Sequence, residues 1–486
     1  MKNKDPDMLC FSSIDLLEPI IKKNKAESNV ILHKLDGKKC EFILQLTYDN
    51  NINSDYLPLL RIAFCMPLLN YGLFTKKFNL KFPISKKDFN LLKELNIVFS
   101  RDIYVNKILR RRTNYILSEF LPKEENFKVE DALPKAEIKP GQISQDTHIS
   151  KKIDNKRCGV LSSGGKESLL TYGILKEIGC KVYPLYVNES GGHWRTALTA
   201  YRHHKKNEIN TQKVWTNVDR FYVFMLDNLN FIRPDHRKVR TDTYPIRLCI
   251  FPFYVFSLLP IFTEEKIGNL LIGSEFDDLR NKPTYLGIPH YFGVYDQHQD
   301  YDELMNKWYE KRLPGLYQWS AVRNISGLLV ERILTKRYPE LAKLQRSCHS
   351  CHFKKNNIIP CGICSKCMGV LLFLFANKID PRIMNFKDKD IELFSKRVNP
   401  KNLRLDEDEK NQSFYLIGEK DQIPKVAPID HVERIHINEF NSDLELIPKH
   451  LRNDILNIIE KYSTGYCELK NEKWFSVNYI KFNNFM

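Results

Sequence analysis

Two stretches of this 486-residue sequence carry residue types at spacings that suit chemistry. The first runs from Val160 to Leu170 and reads V-L-S-S-G-G-K-E-S-L-L. An apolar run, Cys158 to Leu161, predicts a short buried strand. Ser162, Ser163, Gly164 and Gly165 predict a sharp turn, and Glu167 onward predicts a helix carrying Leu169, Leu170, Tyr172, Ile174 and Leu175. Strand, glycine turn and helix N-terminus together suit an anion. Glycine lets the backbone approach the ligand, and the first helical amides have no partners within the helix. Lys166 and the hydroxyls of Ser163 and Ser168 add donors. The spacing is not that of the common P-loop, and the third glycine of the dinucleotide fingerprint is missing.

The second stretch is Cys361-x-x-Cys364-x-x-Cys367, three thiols on a tight loop opening into an apolar helix, Met368 to Ala376. Cys348 and Cys351 lie upstream, and either completes a set of four, with His349 and His352 as rival ligands or neighbours. Four thiolates are the usual ligand set of a structural zinc ion, and an iron–sulfur cluster uses similar ligands. Five of the twelve cysteines fall between Cys348 and Cys367, which reads as a metal site in a reducing compartment and not as a disulfide framework.

Elements that would position these groups can be read on either side. Strand 158–161, helix 167–178, strand 181–187 and helix 194–204 alternate, followed by a strand-like run Tyr222 to Leu226, helix 248–262 and strand 269–272. This alternation predicts an α/β fold with a mainly parallel sheet and helices on both faces, its ligand beyond the C-terminal ends of the strands. In front of it, Ser28 to Asp49 reads as two strands around Asp36-Gly37, and Asn79 to Phe82 and Leu95 to Val105 as further strands. Leu59 to Tyr71 fits strand or helix, and Asn106 to Phe120 is expected to be a helix bearing Arg110, Arg111 and Arg112. The expected division is a small α+β domain (1–125), a charged linker (126–155), the α/β domain with its cysteine cluster (156–392) and a C-terminal extension (393–486). Pro283 to Tyr317, rich in aromatic residues, His and Asp, reads as a lid or substrate loop with His290, His298 and Asp300 as acid/base candidates. Residues 394–426 read as irregular; helix 448–462 and hairpin 466–482 are expected after them.

Lys and Arg number 75 against 59 Asp and Glu, a net charge of +16 that suits an anionic substrate such as a nucleotide or RNA and equally suits a Lys-rich composition without specific meaning. The N-terminus lacks a signal-peptide pattern, and the longest apolar run, Leu248 to Phe262, is too short to span a bilayer. A cytoplasmic protein is expected.

Ser163-Gly164-Gly165-Lys166-Glu167-Ser168 resembles the Ser-Gly-Gly-x-Asp-Ser signature of the PP-loop ATP pyrophosphatases, with Glu167 where that family usually has Asp. The resemblance implies the adenine nucleotide alpha hydrolase-like fold and an enzyme that splits ATP between its α and β phosphates. A PP-loop followed by an upstream Cys and C-x-x-C-x-x-C is similar to the 7-cyano-7-deazaguanine synthase group, which uses ATP, Mg2+ and a structural Zn2+ in queuosine biosynthesis. The likeness covers roughly residues 157–382, so the chain would be a long member with extra N- and C-terminal regions.

Carried over on that resemblance, Ser162, Ser163, Gly164, Gly165, Lys166, Glu167, Ser168, Asn188, Gly273 and Glu275 would bind the nucleotide. Lys166, Ser168, Arg247 and His193 would act in catalysis, with Gly192 in place of the family's Arg before His193. Glu189 and Arg195 are further candidates for contact with ATP or the acceptor, and Asp277, with Asp278 beside it, is a candidate magnesium ligand. Cys348, Cys361, Cys364 and Cys367 map best onto the family's zinc ligands, with Cys351 as rival fourth.

The implied reaction is adenylation of an acceptor carboxylate, releasing pyrophosphate, then displacement of AMP. The expected acceptor is a small-molecule carboxylate, with protein or RNA as alternatives; no membrane partner is expected, and a homodimer stands open. Long relatives of the group include defence-system proteins that modify a protein or nucleotide and an epimerase of a UDP-muramoyl-dipeptide. A tRNA-modifying or thiolating enzyme and a non-enzymatic nucleotide-binding assembly module are the remaining readings.

Overall fold

The computed structural model describes residues 8–111, 114–122, 127–145, 153–239, 246, 248–274, 276, 284–348, 350–354, 357–438 and 443–478; of residues 192, 193, 438 and 443 only the backbone is described. Alternating burial builds the first strands: β1 (Phe11–Leu16), β2 (Ile20–Lys22), β3 (Lys25–Lys34) and β4 (Lys39–Tyr48). In β3 every second side chain from Ala26 to Leu32 is buried, the period-2 pattern of a sheet with one covered face. Helix α1 (Leu57–Cys65), β5 (Lys77–Ser85), α2 (Lys86–Ile103) and β6 (Glu137–Ser144) follow.

The second half of the sheet is β7 (Asp154–Leu161), α3 (Lys166–Glu177), β8 (Lys181–Asn188), α4 (Gly192–Asn207), β9 (Gln212–Thr216), α5 (Val218–Asp227), α6 (Phe251–Glu264) and β10 (Ile267–Leu271). A short hairpin, β11 (Thr284–Tyr285) and β12 (Ile288–Pro289), leads through α7 (Gln299–Arg312) to the edge strand β13 (Tyr317–Trp319). Then come α8 (Gly327–Arg337), α9 (Pro339–Ala342), the hairpin β14 (His352–Lys354) and β15 (Asn357–Ile359), and α10 (Ser365–Ala376). The C-terminal region holds α11 (Asp388–Glu392), α12 (Phe394–Arg397), α13 (Glu407–Ile417), β16 (Ile435–Asn438), α14 (Asp443–Leu446), α15 (Lys449–Glu460), β17 (Tyr466–Lys470) and β18 (Lys473–Val477).

Among the described residues the main sheet has eleven strands in the order β13-β10-β7-β8-β9-β4-β3-β1-β5-β6, with β2 beside β3. The five from β13 to β9 are all parallel. β9 pairs antiparallel with β4 (Leu46 opposite Thr216), so the N-terminal strands extend the same sheet. The protein is therefore an α/β fold with a large mixed sheet flanked by helices. On β8, Val182 and Tyr186 enter one apolar core while Tyr183 and Leu185 enter another, as expected of a strand covered on both faces. One core joins α1, α2, α5, α6 and α7; the other joins α3, α8, α10 and α15.

Several segments differ from the sequence expectation. Leu95 to Val105 is helix, because Leu91, Leu92, Leu95 and Phe99 share a buried stripe at helical spacing. Tyr222 to Leu226 lies in α5, and the neighbouring strand is Gln212–Thr216. The helix expected over Asn106 to Phe120 ends early, at Leu109 in a π-helical turn, and Arg111 has positive φ. Glu137–Ser144, inside the expected linker, is strand β6; Pro283 to Tyr317 contains α7; and 394–426 contains α13. Among the described residues no helix is long and apolar enough to cross a membrane.

Candidate functional site

In the parallel part of the sheet, β7 is followed on one side by β8 and flanked on the other by β10, so the strand order reverses between β7 and β10. Crevices form beyond the C-terminal ends of strands at such a point. The Ser/Gly turn leaves β7 there, and Gly273 and Ser274 leave β10 beside it.

The turn is held from the sheet. Ser162 donates its amide to Leu185 O (2.8 Å) and its hydroxyl to Val160 O (3.2 Å). Gly164 has φ of +75°, a left-handed conformation that disfavours side chains, and a Cβ there would stand 3.0 Å from Thr196 O. Gly165 caps α3 without a side-chain bond to the helix amides. Gly165 N donates to Ser163 Oγ (3.3 Å), and buried Ser168 donates its hydroxyl to Gly165 O (3.2 Å). Lys166 is buried, pairs through Nζ with the Glu167 carboxylate and lies 5.8 Å from the Phe373 ring centre. Lys166 is thus a cation held at the helix start against an adjacent acid.

The opposite wall is β10's exit. Ser274 is buried, and its carbonyl accepts from Ser320 Oγ (2.7 Å). After β8, Asn188 Oδ1 accepts from Ser190 N (2.9 Å), closing a local turn. Glu189 is 2% exposed. The Asp219 carboxylate, at the start of α5, fills the space above Gly191. Nothing in the sequence spacing singles out Asp219, because it reaches the turn after β8 only through the βα crossover. His193 lies in the first turn of α4, and Arg195 is exposed on that helix. Arg247, Glu275, Asp277, Asp278, Arg112 and His349 lie outside the described residues.

The cysteines converge. The Sγ atoms of Cys348, Cys361, Cys364 and Cys367 all lie within 4.8 Å of one another. Cys361 and Cys367 are 3.8 Å apart, and Cys364 and Cys348 3.9 Å. A tetrahedron of sulfurs about 2.3 Å from zinc has edges of about 3.8 Å. Cys348 Sγ accepts amides from Ser350 and Cys361 (both 3.3 Å), Cys361 Sγ from Cys364 N (3.4 Å), and Cys364 Sγ from Cys367 N (3.4 Å). Such bonds favour the thiolate form. Neighbouring thiols, Cys364 foremost, push the Cys348 thiol up to about 12, and binding a metal ion there would displace its proton. Donor chemistry and spacing fit a metal ion. Cys351 is buried but stands outside this group, and His352 is exposed on β14. The quartet adjoins the Ser/Gly turn: Arg346 N, two residues before Cys348, donates to Gly164 O (3.2 Å).

The remaining candidates have other engagements. His298 Nδ1 accepts from Asp300 N (3.2 Å) at the start of α7, and Asp300 accepts from Tyr291 OH (2.6 Å). His290 is buried, its Nδ1 accepting from Phe292 N (2.9 Å). Tyr291 N donates to Asp102 (2.6 Å), whose burial pushes its carboxyl up to about 7. Arg110 lies 5.6 and 5.5 Å from the ring centres of Tyr285 and Phe292, so its guanidinium faces aromatic rings.

Compared with known protein families, curated proteins and solved structures, the chain finds no significant match in any of the three.

Proposed function

We propose that the Ser162–Ser168 turn holds the phosphates of Mg-ATP and that the protein is an ATP-dependent, AMP- and pyrophosphate-forming enzyme of the PP-loop type. The observation that carries this reading is the position of the turn: a left-handed Gly164 and a helix N-terminus without a side-chain cap, at the reversal of strand order between β7 and β10.

On this reading the amides of Gly165 and the first turn of α3 bind phosphate oxygens, and Lys166 exchanges Glu167 for the ligand's negative charge. The Ser163 and Ser168 hydroxyls turn from loop carbonyls and amides to the same oxygens. Glu167, beside Lys166 at the helix start, would help hold a divalent ion that neutralises phosphate charge. An acceptor carboxylate oxygen attacks the α phosphorus, the bond to the bridging oxygen breaks, and pyrophosphate leaves with its electron pair. The acyl-adenylate then passes to a second nucleophile that expels AMP. Positioning and charge stabilisation dominate the first step, so a site of amides and one lysine is adequate. The cysteine quartet would hold Zn2+ as a structural centre.

The test is pyrophosphate release with Mg-ATP, offering 7-carboxy-7-deazaguanine with ammonia, a UDP-muramoyl-dipeptide, and tRNA in turn, with Ser163→Ala and Lys166→Ala as controls. Release dependent on one acceptor and lost in both controls supports the reading and names the substrate. A chain that does not bind Mg-ATP overturns it.

A further inference from the structure

We infer that Arg346 is a positioning residue that ties the shape of the Ser/Gly turn to metal occupancy of the cysteine quartet; the inference rests on that turn being the nucleotide site. Arg346 is 5% exposed, yet among the described residues no carboxylate pairs with it. Its guanidinium is spent on carbonyls: Nε donates to Ile358 O (2.7 Å), and one terminal nitrogen donates to Lys343 O (2.9 Å) and Gln345 O (2.6 Å). A buried cation without an acid is costly, and three carbonyl acceptors offset part of that cost while fixing the guanidinium's orientation.

That geometry spans both arms of the metal loop. Arg346 stands two residues before Cys348, and Ile358 stands on β15 three residues before Cys361. One side chain therefore joins the two strands of chain that deliver ligands to the quartet. The Arg346 backbone amide, on the other side, donates to Gly164 O (3.2 Å). The turn is wedged between this segment and α4, where Thr196 O and Ala197 Cα stand 3.0 and 3.1 Å from the position of a Cβ on Gly164. When metal holds Cys348 and Cys361, the two arms are fixed, Arg346 is fixed between them, and the Gly164 carbonyl is pinned. Without metal, the two arms lose the strongest tie between Cys348 and Cys361, the Ile358 carbonyl is freer to withdraw from the guanidinium, and the turn's wall on this side loosens.

The experiment uses the full chain, metal-loaded and after chelation, with metal content measured. Amide hydrogen exchange is followed at residues 162–168 and, as a distant control, at 77–85; Mg-ATP affinity is measured in parallel. Chelation is expected to speed exchange at the turn and not at the control strand, and to weaken Mg-ATP binding about tenfold. Arg346→Ala should do the same while keeping its metal, and Arg346→Lys, a point charge without the fork, should fall between. Should Arg346→Ala fail to fold, the metal titration of the unsubstituted chain decides. Turn exchange that ignores the metal, exchange that rises equally at both segments, or a chain that binds no metal overturns the inference. If Mg-ATP does not bind but turn exchange still follows the metal, the coupling stands and the nucleotide reading falls.

Discussion

Gly273 lies against the first turn of α3 so closely that a Cβ on it would stand 2.8 Å from Glu167 Cβ and 3.1 Å from Ser168 N. Both neighbours belong to the helix start, which cannot recede without moving the turn. Gly273→Ala is therefore expected to destabilise the protein by about 1–3 kcal/mol, as overpacking does, and to weaken Mg-ATP binding. Thermal unfolding and a nucleotide-binding titration check both effects; unchanged binding would separate β10's exit from the site.

The cysteine geometry makes a sharp distinction among five neighbouring thiols. Cys348→Ser should lose bound metal, whereas Cys351→Ser should retain about one ion per chain, because Cys351 stands outside the tetrahedron-sized group. Elemental analysis of the purified variants is the measurement. Equal loss in both would mean that the ligand set differs from the quartet.

Asp102 gives a pH dependence of known sign. Its carboxyl is raised from 3.8 to about 7, chiefly by burial, so the folded protein binds a proton that the unfolded chain releases. The stability this contributes is full below about pH 4 and is lost as pH rises to about 7, a change on the order of 4 kcal/mol. Asp102→Asn, neutral throughout, should flatten denaturant stability across that window and exceed the parent at pH 8. A parent whose stability is flat from pH 5 to 8 would contradict this assignment.

A buried ion pair ties helix α2 to helix α7. Arg312, on α7, donates Nε to Asp88 Oδ1 and a terminal nitrogen to Oδ2, both at 3.0 Å, and Trp308 donates to the same carboxylate at 2.9 Å. Arg312→Met leaves Asp88 buried without its cation and should cost about 3–5 kcal/mol, whereas adding Asp88→Asn should restore much of that. Denaturant unfolding of the single and double variants tests the asymmetry.

What the sequence by itself determined is local. The Ser162–Gly165 turn, the start of α3, the hairpin about Asp36-Gly37 and the C-x-x-C-x-x-C loop are set by residue types within a few positions of one another, and each forms where it is expected. Short windows misled: Tyr222 to Leu226 suits a strand by composition but lies in a helix, and Leu95 to Val105 shows its helical spacing only when Leu91 and Leu92 are read with it. Tertiary structure alone decided the pairings that join distant parts of the chain. It laid β4 beside β9, brought Gly273 onto Glu167, and set the Arg346 amide on the Gly164 carbonyl, 182 residues away in sequence. Such contacts have no local signature, since the free energy that selects them is burial and hydrogen bonding summed over the whole sheet and its two cores.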